Sequence, residues 1–127
     1  MKINNRENII SGYVEGYNNF DVLKMTADFS DDIVFENIES GHTSMILNGI
    51  DAFITQAQKA KQYFKERHQK IKSFIHADDK SEIEVEYYGL LATDFPNGMR
   101  KGQEIKLNGK SIFEFKDEKI VRLTDIS

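Results

Sequence analysis

Apolar residues at helical spacing open the chain, and past its midpoint they give way to apolar residues at every second position. Ile10, Tyr13, Val14 and Tyr17 fall on one stripe, which predicts an amphipathic first helix from roughly Ile3 to Asn18. Gly12 and Gly16 each weaken that helix by about 1 kcal/mol relative to Ala, a weakness that suits close approach by another element. Asn19-Phe20-Asp21 reads as a break and cap before a short second helix carrying Val22, Met25 and Phe29. Ile33, Phe35 and Asn37 then alternate with Asp32, Val34 and Glu36, as in a strand. Ser40-Gly41-His42-Thr43 is expected to form a loop, and Thr43 to Leu47 a short strand. Asp51 is the expected N-cap of a third helix that buries Phe53, Ala57, Ala60 and Phe64.

After Arg67 the period changes to two. Ile71, Ser73 and Ile75 alternate with Lys70, Lys72 and Phe74, and Asp78-Asp79-Lys80-Ser81 turns the chain. Ile83, Val85, Tyr87, Gly89 and Leu91 predict the inner face of the next strand, with Glu82, Glu84 and Glu86 in solvent. Asp94-Phe95-Pro96-Asn97-Gly98 is a turn, and two last strands, roughly Gln103 to Lys116 and Lys119 to Ile126, pair around Asp117-Glu118. Ile120 and Val121 are both apolar, so alternation does not assign the inner face of the last strand. Helices first and strands after is the α+β pattern, with helices on one face of an antiparallel sheet.

Composition narrows the function classes. At 127 residues the chain is read as one domain, residues 1–127, able to bury a single core. A net charge of −4 gives phosphates no cationic footprint, so no nucleic-acid partner is expected. The one basic stretch, Lys59 to Lys72, lacks interleaved exposed aromatics and reads as a solvated face. Cysteine is absent, which excludes disulfides and thiolate chemistry. His68 and His76 share a strand but stand about 26 Å apart at ~3.3 Å per residue, and no other His, Asp and Glu spacing suits a metal, so neither metal nor cofactor is expected. No apolar run approaches the ~20 residues of a membrane span, and residence in the cytoplasm is the expectation.

Three segments carry a resemblance: Tyr13 to Asn37, Asn48 to Ala57, and the closing hairpin Ser111-Ile112-Phe113-Glu114-Phe115-Lys116-Asp117-Glu118-Lys119-Ile120. In this order they resemble the nuclear transport factor 2-like superfamily, and within it the SnoaL-like branch. The resemblance implies a cone-shaped, strongly curved antiparallel sheet wrapped around three helices from the N-terminal half, with a pocket in the cone. Its members include ketosteroid isomerase, polyketide cyclases, scytalone dehydratase and limonene epoxide hydrolase, together with many non-enzymes, often as dimers. Ketosteroid isomerase uses a carboxylate base and an oxyanion hole of Tyr and protonated Asp. The resemblance places the base at Asn37, the Tyr at Tyr13 and the Asp at Ser111. An amide cannot shuttle a proton, so steroid isomerisation is not expected.

The expected ligand pocket comprises Tyr13, Tyr17, Phe35, Asn37, His42, Tyr87, Leu91, Ser111 and Phe113. Catalytic candidates are Tyr13, to polarise a carbonyl or hydroxyl, and His42 or Asp94, to move a proton. Three readings stay open: a module binding a small, largely apolar organic ligand, an isomerase, cyclase or dehydratase acting on one, and a non-catalytic dimerisation module whose cone is filled by side chains. Tyr88, Leu90 and Ile112 fall on the outer sheet face, where they suggest a homodimer packed sheet to sheet.

Overall fold

The computed structural model describes residues 1–127. Helix α1 spans Ile3–Asn18, α2 Val22–Thr26 and α3 Ile50–Ala60, the last running into a single 3-10 turn, Lys61–Tyr63. The strands are β1 (Phe29–Glu39), β2 (His42–Asn48), β3 (Phe64–His76), β4 (Lys80–Leu91), β5 (Glu104–Lys116) and β6 (Lys119–Ile126). They form one curved, unclosed sheet in the order β2-β1-β6-β5-β4-β3, with the helices against its inner face.

The sheet is mixed rather than antiparallel throughout. Neighbouring strands are antiparallel except at one seam, where β1 and β6 run parallel. The tight β5–β6 hairpin fixes the direction of β6, and that direction matches β1. At this hairpin Asp117 and Glu118 both take positive φ, 51° and 63°, as a two-residue turn with the twist of its flanking strands requires.

Local chemistry explains several boundaries. Asp21 caps α2, its carboxylate accepting the Lys24 N–H at 3.1 Å. The helix ends at Thr26, so Phe29, expected on it, instead begins β1. The loop expected over residues 40–43 is only the turn Ser40-Gly41, with φ of 50° and 79°, and His42 is already in β2. The N-cap of α3 is Gly49, at φ 89° and ψ 155°, rather than Asp51. Asp51 lies inside the first turn, where its charge favours the helix dipole. Ala60 is half-buried, and Phe64 belongs to β3 rather than to the helix.

In β3 the simple alternation fails. The register shifts between Ile71 and Ser73, so the inner face runs Arg67, Gln69, Ile71 and then Phe74 and His76. Ile75, expected inside, is 57% exposed. A bulge moves every later side chain to the opposite face.

The core gathers Ile10, Tyr13 and Val14 of α1 against Phe29, Ile83, Phe113 and Phe115 of the sheet. Tyr13 stacks on Phe29 at 5.8 Å and meets Phe113 edge-on at 5.7 Å. Full burial of each such side chain is worth about 1.5–3 kcal/mol. The C-terminal end of α1 is fastened to β3 by polar contacts. Asn18 accepts the Gln69 N–H at 2.7 Å and donates to the Gln69 carbonyl at 3.0 Å, while Arg67 Nε donates to the Tyr17 carbonyl at 2.9 Å. Arg67 thereby adds a second donor to a carbonyl that also accepts the Phe20 N–H at 3.2 Å, and sets a cation at the negative end of the helix dipole.

The two helical glycines differ. A Cβ on Gly16 would stand 2.7 Å from the backbone nitrogen of Met25, whereas one on Gly12 meets nothing within 4 Å. Gly16 is thus what lets α2 fold back against α1. In urea denaturation, Gly16→Ala is expected to lose about 1–3 kcal/mol through overpacking. Gly12→Ala should gain up to about 1 kcal/mol from helix propensity. Equal effects at the two positions would contradict this packing.

Candidate functional site

Between α1, α3 and the inner sheet face lies a cavity of ≈ 230 Å³. Tyr13, Met25, Phe35, Met45, Leu47 and Phe53 give it mostly apolar walls, and Arg67 and Asp125 are its charged groups. A second cavity of ≈ 200 Å³ adjoins it, with Tyr87, Gln69 and Ser111 in its wall. Tyr17, Asn37 and Asp125 line both.

The site is built around Asp125, a residue the sequence reading did not single out. It sits on β6 between two strands, in register with Asn37 of β1 on one side and Ser111 of β5 on the other. These are the two positions to which the resemblance assigned a base and an oxyanion acid. The carboxylate absent from both is carried by the strand between them. Ser111 Oγ donates to Asp125 Oδ1 at 2.6 Å. Burial raises the Asp125 carboxyl from its usual 3.8 to about 6, against the opposing pull of the Ser111 hydrogen bond.

Three tyrosines line the same cavities, Tyr13 the first, Tyr87 the second and Tyr17 both. Tyr17 and Tyr87 share a hydrogen bond between their hydroxyls at 2.8 Å. Burial drives Tyr13 and Tyr17 well above the usual tyrosine pKa, with Asp125 adding to the effect at Tyr13 and Tyr87 adding to it at Tyr17. Tyr87 is raised too, mainly by burial. All three are therefore neutral hydroxyls at physiological pH; Tyr13 and whichever of Tyr17 and Tyr87 accepts within their pair keep a proton to donate to a ligand oxygen. Asn37 Nδ2 is committed to Ser44 Oγ at 2.8 Å and Glu39 Oε1 at 2.9 Å.

The other expected site residues are dispersed. Phe35 lines the first cavity, while Leu91 and Phe113 are buried at 1% and 0% exposure and belong to the packing. His42 is exposed at the start of β2 and lines neither cavity, because the shortened turn carries it to the strand's outer end. Asp94 is exposed and accepts the Lys101 N–H at 2.8 Å, closing its own loop. Neither is within the cone to move a proton there. His76 bridges Glu7 Oε2 at 2.7 Å and Ser81 Oγ at 2.8 Å, a serine–histidine–acid order. Ser81 is 0% exposed, so this chain fastens α1 to the β3–β4 hairpin and offers no nucleophile.

Asp125 escaped notice because of the ambiguity at Ile120-Val121. The β5–β6 register shifts beside Phe115, after which Leu123 pairs with Phe113 and Asp125 with Ser111. Once Leu123 is taken as inward, parity places Asp125 inward. An Asp inside a strand, where that residue is depleted, is the signal that was available.

A family model for the SnoaL-like domain matches residues 10–123. The chain belongs to the SnoaL-like family. No curated protein sequence matches it. Solved structures share the fold at low identity. TsrD from Streptomyces laurentii superposes with TM-score 0.82 at 10% identity, covering 98% of this chain and 89% of the other. A candidate polyketide cyclase from Xanthomonas campestris pv. campestris gives 0.79 at 19%, covering 98% and 90%. A protein with a ketosteroid isomerase-like fold from Catenulispora acidiphila, in complex with trimethylamine, gives 0.74 at 14%, covering 92% and 82%. No helix of this SnoaL-like chain is long and apolar enough to cross a membrane.

Asp125 makes stability depend on pH. Below about 3.8 it is protonated folded or unfolded; above that the folded state alone keeps the proton, until pH passes about 6. Its contribution therefore falls as pH rises through this window, by up to about 3 kcal/mol at pH 7. Asp125→Asn keeps the shape and the acceptor for Ser111. It should raise unfolding free energy by up to about 3 kcal/mol at pH 7 but by only about 1 kcal/mol at pH 4.5. A gain independent of pH would show an unshifted carboxyl.

Proposed function

We propose that this SnoaL-like protein holds a small, largely apolar carbonyl or hydroxyl compound in its cone and that Asp125 transfers a proton on it. The observation that carries this reading is the Asp125 carboxyl itself, lining both cavities and titrating near 6. A general base works best when its pKa lies near the operating pH. Above pH 6 the carboxylate takes a proton from a carbon beside a carbonyl, and the C–H electrons pass to the carbonyl oxygen as an enolate. A Tyr13 or Tyr17 hydroxyl donates a hydrogen bond to that oxygen as its charge develops. Returning the proton to another carbon completes an isomerisation. Attack of the enolate carbon on a second carbonyl of the same molecule closes a ring, and the Asp125 proton passes to the new alkoxide. With a hydroxyl leaving from the neighbouring carbon as water, the same first step gives dehydration. The reaction takes place in the cytoplasm on this reading.

Native mass spectrometry of freshly purified protein should show a defined extra mass, which identifies the ligand. Asp125→Asn should keep that mass while turnover of the identified compound falls about 10²- to 10⁴-fold. His42→Ala and Asp94→Asn, both outside the cone, should leave turnover unchanged. Retained turnover in Asp125→Asn would take the proton transfer away from Asp125, and no turnover of the identified compound by the unsubstituted protein would leave binding alone as the function, a reading that the amide at Asn37 favours.

The dimer belongs to the same proposal. Tyr88, Leu90 and Ile112 are half-buried on the outer face of β4 and β5, Tyr88 and Leu90 in register with Lys106 and Glu104 and Ile112 with Glu82. Light scattering at micromolar concentration should give twice the 14.7 kDa chain mass, and a monomer would overturn the pairing.

A further inference from the structure

The cavity contains a cation with no counterion. Arg67 is 5% exposed and lines the larger cavity, yet it takes part in none of the ion pairs of the protein. Its Nε bonds the Tyr17 carbonyl, and its guanidinium carbon lies 3.8 Å from the centre of the Tyr17 ring and 4.5 Å from that of Phe20. These contacts fix the plane of the group without using its outer edge. Nη2 is buried and has no hydrogen-bond partner. The other buried arginine, Arg6, also lacks a counterion and leaves its Nε unpartnered, but both of its terminal nitrogens are spent on the carbonyls of Ala77, Asp78 and Lys80 and it lines neither cavity of the cone.

A buried, unpaired guanidinium is destabilising by several kcal/mol, and a donor left unsatisfied adds to that. Asp125 does not relieve it, since no carboxylate lies within 4 Å of Arg67. Tyr13 and Tyr87 feel both charges, Asp125 raising their pKa and Arg67 lowering it. The tyrosines thus stand within reach of a carboxylate and of a separate guanidinium, and the cone has two poles. Gln69, two residues along the same face of β3, lines the adjoining cavity, and its Oε1 is buried without a partner. That oxygen suits a hydroxyl or amide donor, which leaves Arg67 as the seat for an anion.

We infer that the ligand of this cone is an apolar carboxylic acid, its carboxylate seated on the Arg67 guanidinium and its hydrocarbon body running toward Asp125. This rests on the proposal that the cone binds a small organic molecule, and it adds the class of that molecule. One guanidinium edge matches a monoanion. A phosphate dianion would keep an uncompensated charge among apolar walls. The net charge of −4 disfavours anions in general, so a preference for one has to come from the site.

The test uses two fluorescent probes of equal shape, 2-naphthoate and 2-naphthalenemethanol, titrated into the full chain at pH 7. Naphthoate is expected to bind at least about tenfold more tightly than the alcohol, a preference of about 1.4 kcal/mol. Arg67→Met should abolish the preference and Arg67→Lys should keep part of it, with circular dichroism reporting whether each variant is folded. Because Arg67 also holds the end of α1, the wild-type comparison decides the matter if Arg67→Met does not fold. Equal affinity for acid and alcohol would leave the binding cone standing and overturn the anion seat. Failure of both probes to bind at about 1 mM would overturn the cone itself and this inference with it.

Discussion

The cone exists because one end of α1 is held to the edge strand β3 by polar contacts rather than by apolar packing. The N-terminal half of the helix sinks into the core through Ile10, Tyr13 and Val14. At its C-terminal end, Asn18 pairs with the backbone of Gln69 and Arg67 holds the Tyr17 carbonyl. Those bonds fix a separation that apolar contact alone would close, since apolar surfaces collapse until they touch. The space kept open is the one lined by Tyr17, Asn37 and Asp125. Phe20, just beyond the helix, takes φ 56° and lays its ring on Arg67, so the same arginine also steadies a backbone conformation few non-glycine residues adopt.

Most of the architecture was legible in the chain, because helix and strand periods report directly which face is buried. The span of α1, the Asp21 cap and the inner face of β4 follow from local pattern. What escaped depends on register between distant strands. The bulge in β3 turned Ile75 outward, and the shift beside Phe115 turned Asp125 inward. In the sequence each shows only as a pair of adjacent apolar residues, Phe74-Ile75 and Ile120-Val121, which does not say which of the two turns inward. The parallel pairing of β1 with β6 is likewise set by how many hairpins intervene, which no single segment encodes. For the site, the resemblance led to Asn37 and Ser111, the right neighbourhood, while the carboxylate stood between them on a strand whose faces the sequence left unassigned.

The cavity concentrates the groups that folding alone would remove. A carboxyl raised to about 6, three hydroxyls on buried rings and an unpaired guanidinium edge each oppose burial. They are tolerated because the surrounding core, from Phe29 through Phe113 to Leu123, is closely packed and apolar. Sites of this kind sit where local rules of stability are broken in favour of chemistry. By contrast, the buried polar cluster of Arg6, Glu7, His76 and Ser81 is largely satisfied within itself and marks a joint rather than a site.

The parallel seam also bears on how the chain reaches this state. Asn37 and Asp125 are neighbours in space but about ninety residues apart in sequence, and no local turn brings them together. Contacts of that range are made late, after the entropy of closing a long loop has been met. Until β6 inserts, β1 with β2 and β3 with β4 and β5 are two separate pieces of sheet, each with an open edge. The strand that joins them also delivers the carboxylate. The pocket, lined by Asn37 of β1 as well as by Asp125 of β6, is therefore complete only once that seam is closed.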